Sequence, residues 1–141
     1  LVDCEFGSDA AQGVADCIER HPDLSIVLLY AGGVAGVCAG YSRNGDWAVL
    51  EALIVTPELR GLGVGGELLR RFERAVCKVG LHGIELVCDP ETRPFYTHRG
   101  FYVRRYLTQC ETLGGAPEGS ASSYAVLARQ LKSGQLPSTS R

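Results

Sequence analysis

Methionine is absent from this chain of 141 residues, and tryptophan occurs once, at Trp47. The chain opens on Leu1, so we expect its native start to be absent or removed. No apolar run approaches the roughly 20 residues of a membrane helix, and no signal-peptide pattern is visible. Neither sign of charge dominates: 14 basic and 16 acidic residues leave a net −2 at pH 7. That balance lacks the basic face that nucleic-acid binding needs, and it suits a pocket for a cationic substrate. Six cysteines occur (Cys4, Cys17, Cys38, Cys77, Cys88 and Cys110), none of them in a Cys-x-x-Cys pair. His21, His82 and His98 show no zinc-ligand spacing, so no metal is expected. The cysteines read as buried, reduced thiols, which places the chain in the cytoplasm.

What is present is a core: 45% of residues are apolar and 21% charged. Length and composition predict one domain over 1–132 and a flexible tail over 133–141. Ser8 is placed to cap a helix to about Arg20, with Ala11, Val14, Ala15 and Ile18 on one face. Strands are predicted over 25–30, 34–41 and 47–55. Asn44-Gly45 marks the second turn. The third strand is apolar on both faces except at Glu51, as in the middle of a covered sheet. Val64, Leu68, Phe72, Ala75, Val76 and Val79 recur at helical spacing, and Gly80 ends that helix. A fourth strand over 84–88, a short helix capped by Thr92, and a fifth strand over 101–107 follow. A Gly/Ser-rich loop over 113–123 leads to a last strand over 124–131, whose edge would suit pairing with a second copy.

The densest signal is Arg60-Gly61-Leu62-Gly63-Val64-Gly65-Gly66, between the third strand and the long helix. A helix start carries N–H groups without internal partners and the positive end of the helix dipole. Glycines let a bulky anion approach that backbone, so the segment reads as a phosphate cradle. As G-x-G-x-x-G it matches the dinucleotide fingerprint, with Glu85 near the distance of a ribose-binding acid. Against that reading, residues 56–60 separate the turn from its strand, and too little chain remains for a dinucleotide fold. A P-loop needs Gly-Lys-Ser/Thr, whereas Glu67-Leu68 follow here. A turn without a ligand leaves four glycines in six residues unexplained.

Read whole, Arg60-Gly61-Leu62-Gly63-Val64-Gly65 resembles the Q/R-x-x-G-x-G/A motif of the GNAT (GCN5-related) N-acetyltransferases. Pro94-Phe95-Tyr96-Thr97-His98-Arg99-Gly100-Phe101 resembles that family's F-Y-x-x-x-G-F landmark, with a strand between the two. The resemblance spans about 25–131. It implies an α/β fold whose mixed sheet is splayed between the strand of Glu51 and that of Cys88. It also implies acetyl-CoA as co-substrate and a small-molecule or peptide amine as acceptor. In that reading Arg60 and the amides from Leu62 to Gly66 hold the pyrophosphate, with Gly61, Gly63, Val64 and Gly65 shaping the turn. Leu53, Ile54 and Val55 meet the pantetheine arm through backbone groups that lack a strand partner, and an N–H there can stabilise the carbonyl oxygen.

Acetyl transfer to an amine needs a group to take the ammonium proton and one to protonate the departing thiolate. Glu51 is the candidate base, since desolvation among Trp47, Val49, Leu53 and Val55 would raise its pKa. Asp46, Asp89 and Glu111 are rival acids. Tyr96 is the candidate acid that the resemblance favours. Cys88 with His98 offers a competing acetyl-enzyme route. Arg93, Arg104 and Arg105 are solvated charges or anion contacts. A non-catalytic CoA-binding module is the alternative function.

Overall fold

Glycine and alternating apolar residues shape the first half of the molecule. A computed structural model describes residues 8–108 and 124–131, and side chains from residue 12 onward. The 113–123 loop, the 133–141 tail, Cys4, Cys110 and Glu111 lie outside the described residues. The chain divides into two compact units, Leu1–Ile84 with Leu131–Arg141, and Glu85–Gln130.

In the first unit, helix α1 (Ser8–Arg20) precedes strands β1 (Ser25–Tyr30), β2 (Gly33–Arg43) and β3 (Trp47–Val55). Both β1/β2 and β2/β3 pair antiparallel. Asn44 and Gly45 both adopt positive φ, 59° and 75°, as a primed hairpin turn requires. Helix α2 (Val64–Lys78) follows, and β4 (Gly83–Cys88) begins in this unit. Cross-strand partners share a face, so Val37, Ala39 and Tyr41 look one way and Gly36, Cys38 and Gly40 the other. The first set packs with Val14, Cys17 and Ile18 of α1. The second receives α2. A Cβ at Gly40 would stand 2.6 Å from the Phe72 ring, and one at Gly36 3.0 Å from Leu68, so glycine allows α2 to seat closely. Two expected contacts differ. Ala15 is exposed and Cys17 takes its place in the core, because the helix turns 100° per residue and the stripe runs 14, 17, 18. Val79 is also exposed, since the helix has already ended beside Gly80.

In the second unit, β4 continues into helix α3 (Arg93–Thr97), then β5 (Tyr102–Tyr106) and β6 (Ala125–Gln130), with β5 and β6 antiparallel. The six strands are ordered β1-β2-β3-β4-β6-β5. The last strand is therefore interior, between β4 and β5, and the edge strand of this unit is β5. Pairing of 124–131 with a second copy is excluded because both its edges are occupied. Among the described residues, no helix is long and apolar enough to cross a membrane.

Candidate active site

β3 ends at Val55, and a 3-10 turn at Pro57–Leu59 leads into the glycine-rich segment. Gly61 and Gly63 adopt φ of 80° and 83°, with open space where a Cβ would stand. Gly63 is the N-cap of α2 and contributes no side-chain cap. The helical ladder starts only with the Glu67 N–H, which donates to the Gly63 carbonyl at 3.1 Å. The amides of Val64, Gly65 and Gly66 therefore precede the ladder at the positive end of a 15-residue helix. This geometry fits a bound anion: three amides lie at the positive end of the helix, and a Cβ at Gly61 or Gly63 would meet nothing within 4 Å.

Charge around the turn is arranged in the same sense. Glu67 lies in the first turn of α2, where its carboxylate would oppose an incoming anion. Arg70 Nη2 donates to it at 2.6 Å and Arg71 Nε at 2.9 Å. Those bonds, Arg70 first, hold the Glu67 carboxyl down to about 2, and two guanidiniums outweigh one carboxylate. Arg60 Nε donates to the Val55 carbonyl at 2.9 Å, which ties the turn to the end of β3. A cavity of about 330 Å³ adjoins the turn, with apolar walls from Ile26, Leu28, Leu62, Val64 and Leu68 and charged ones from Glu67 and Arg71.

The backbone of β3 divides the three residues expected to meet the pantetheine arm. The Thr56 N–H donates to Ala35 of the neighbouring strand at 2.9 Å. Backbone groups alternate along an antiparallel strand, so Ile54, paired with Val37, also faces β2. Leu53 and Val55 face the opposite edge. Ile54 is thus removed from the expected set, because its N–H and C=O lie in the β2 ladder. The Val55 carbonyl is likewise engaged by Arg60, which leaves the N–H of Val55 and both groups of Leu53 turned towards that edge.

Glu51 departs from expectation in its surroundings. Ala39 pairs with Ala52 and Gly40 with Leu50, so Glu51 is the extra residue of a β-bulge. It is exposed, and the desolvation expected of it does not occur. The bulge also divides its supposed neighbours. Trp47 and Val49 pair with Arg43 and Tyr41 on the α1 face, while Leu53 and Val55 pair with Cys38 and Gly36 on the α2 face. Glu51 lies near Cys17 of α1, whose thiol is pushed up first by burial and then by the Glu51 charge. Among its rivals, Asp46 sits at the hairpin, about 30 Å along the extended strand from Val55. Asp89 is occupied by Thr92, whose N–H and hydroxyl donate to it at 2.8 and 2.9 Å. Thr92 therefore closes a turn with Asp89 instead of capping α3.

Tyr96 belongs to the second unit. It lies in the last turn of α3, half-buried, with its ring edge-on to Phe95 and Phe101 at 5.0 and 5.6 Å. Cys88 ends β4 beneath the start of this helix. Its thiol is pushed up chiefly by burial, against hydrogen bonding from Thr92 and Arg93. The His98 ring is held on the Pro94 carbonyl at 2.7 Å. A buried thiol kept protonated is a poor nucleophile, which counts against the acetyl-enzyme route. Arg93 stacks over Tyr106 at 5.2 Å, and Arg104 pairs with Glu85; neither is merely solvated. Among the described residues, no cluster of three or more His, Cys, Asp or Glu could hold a metal ion.

No curated protein matches the chain in sequence. Its fold is shared by an IAA acetyltransferase from Bacillus cereus ATCC 14579, 19% identical over 93% of this chain and 90% of that one, with a TM-score of 0.71. A GNAT family acetyltransferase from Elizabethkingia anophelis with acetyl-CoA bound is 13% identical over 93% and 88%, with a TM-score of 0.70. An aminoglycoside 6'-N-acetyltransferase complexed with coenzyme A is 15% identical over 89% and 82%, with a TM-score of 0.73. The profile of the acetyltransferase (GNAT) family matches residues 3–101, both sequence landmarks included. With that match over more than half its length, and with the glycine turn and sheet already described, the chain belongs to the acetyltransferase (GNAT) family.

Proposed function

We propose that this protein transfers the acetyl group of acetyl-CoA to a primary amine, directly and within a ternary complex. The carrying observation is the uncapped helix start behind left-handed Gly61 and Gly63, in a chain of this family. The amides from Leu62 to Gly66 and Arg60 bind the pyrophosphate. The far edge of β3, at Leu53 and Val55, lines up the amide-rich arm as an added strand would. Bound acetyl-CoA supplies the activated thioester, and fixing it beside the acceptor provides much of the acceleration. Glu51, with access to solvent, takes the ammonium proton through water. Tyr96 gives its phenolic proton to the departing sulfur. Residues 1–132 act as one N-acetyltransferase domain. Its buried reduced thiols fit the cytoplasm.

Thiol release from acetyl-CoA in the presence of an amine panel tests this reading. Turnover that depends on both substrates is expected. Tight CoA binding with no turnover of any amine would replace it with a second reading, a non-catalytic CoA-binding module. The exposure of Glu51 favours that alternative, since it removes the strongest reason to name a base.

A further inference from the structure

Gly40 of β2 is held by both helices of the first unit. A Cβ there would stand 2.6 Å from the Phe72 ring of α2 and 2.3 Å from the Val49 carbonyl oxygen, which leaves no room for a side chain. Its own carbonyl is taken by α1: the Cys17 thiol donates to it at 3.1 Å. Cys17 is 7% exposed, within the cluster that packs α1 on the sheet. Burial, and after it the Glu51 charge, pushes the thiol up. The thiol therefore stays protonated at neutral pH, as a donor must.

The bulge of β3 lies opposite this point. Gly40 pairs with Leu50 and Ala39 with Ala52, which leaves Glu51 as the extra residue. Its neighbours on the strand face α1. Val49 pairs with Tyr41, and both Tyr41 and Ala52 pack against the cluster that holds Cys17. The Glu51 charge reaches the Cys17 thiol, so the carboxylate belongs to that same side. An extra residue disrupts the ladder locally, because it has no partner of its own across the strands. The Glu51 side chain is exposed and gains little support from packing. What keeps the acid in one place must then come from the strand opposite, and that strand is fixed at Gly40.

We infer that Cys17 is a positioning residue for Glu51: its thiol anchors Gly40 to α1, and Gly40 sets the bulge that presents the carboxylate to the acceptor amine. A base works only within hydrogen-bond reach of its proton or of one intervening water, and small misplacements cost much of the rate. This role rests on the proposed reaction, in which Glu51 takes the ammonium proton. Cys17, Gly40 and Glu51 all lie in the first unit.

Cys17→Ala removes the donor and Cys17→Ser keeps one. Amide hydrogen exchange followed by NMR reads the bulge without turnover. The Glu51 and Ala52 amides should exchange about 5-fold faster or more in Cys17→Ala, the range of one lost hydrogen bond, and return towards the wild type in Cys17→Ser. Rates are taken relative to Val37 and Ile54, further along the same ladder, which factors out global stability. Should Cys17→Ala fail to fold, Cys17→Val, also without a donor, takes its place. In turnover, Cys17→Ala should lower kcat about 10-fold with KM for acetyl-CoA little changed, and Cys17→Ser should restore it. In a Glu51→Gln background the same substitution should add nothing, since it acts through Glu51. Bulge amides that exchange as in the wild type, or a loss of kcat that persists in Glu51→Gln, would overturn the inference and leave acetyl transfer standing. Amides loosened by Cys17→Ala and tightened again by Cys17→Ser, in a protein that acetylates no amine, would uphold the anchor and sink the proposed function.

Discussion

At the scale of single residues, the candidate groups divide by what surrounds them. Tyr96 has its ring clamped edge-on between Phe95 and Phe101, so removing only its oxygen should leave packing intact. Tyr96→Phe is expected to lower kcat by about 10²-fold or more, the range for a general acid, with KM for acetyl-CoA little changed; steady-state kinetics check this. Cys88 is held protonated chiefly by burial. Cys88→Ala should therefore retain transfer, and intact-mass spectra of the wild type quenched during turnover should show no added acetyl group. Asp89 has its pKa lowered, first by the Thr92 N–H and then by the Thr92 hydroxyl. A carboxyl whose folded pKa lies below its unfolded value adds stability above the unfolded value. That stability is lost as pH falls through the folded one. Acid unfolding of Asp89→Asn should accordingly show a weaker pH dependence below about pH 4, measured by circular dichroism at stepped pH.

At the scale of elements, the turn and the helix after it act together. Gly63 combines a φ of 83° with an N-cap position and open space before it. Gly63→Ala forces a side chain into the left-handed region, at roughly 1 kcal/mol, and places a methyl group where an anion would sit. The expected result is a several-fold higher KM for acetyl-CoA with a small drop in melting temperature. An equal KM would detach the turn from cofactor binding. The bulge at Glu51 shows the opposite kind of control, since one extra residue in β3 moves an acid out of the core and reverses the faces beyond it.

At the scale of the whole molecule, a ligand that binds only the folded chain raises its stability by mass action. Acetyl-CoA at about 100 times its Kd should add about 2.7 kcal/mol. For a chain of this length that is a rise of roughly 5–10 °C in melting temperature. CoA should act similarly, and NAD should not shift the transition. Stabilisation by NAD alone would restore the dinucleotide reading of the glycine turn.

Much of this was legible in the order of residues, because local signals carry it. The span of β3, the Asn44-Gly45 turn, the stop at Gly80 and the glycine turn before α2 all depend on backbone preference, periodicity and short-range geometry. The two landmarks around Arg60 and Tyr96 carried the family for the same reason: each is a contiguous run. Partnership across strands was not legible. That Glu51 would bulge outward is decided by Ala39 and Gly40 on a neighbouring strand. That Ile54 turns its amide to β2 while Leu53 and Val55 do not follows from register, which hydrophobic pattern alone leaves open. The interior place of β6 and the reach of Arg104 to Glu85 arise from strand order. Local chemistry selects elements and turns, whereas burial and pairing belong to residues far apart in the chain, and only folding brings those into contact.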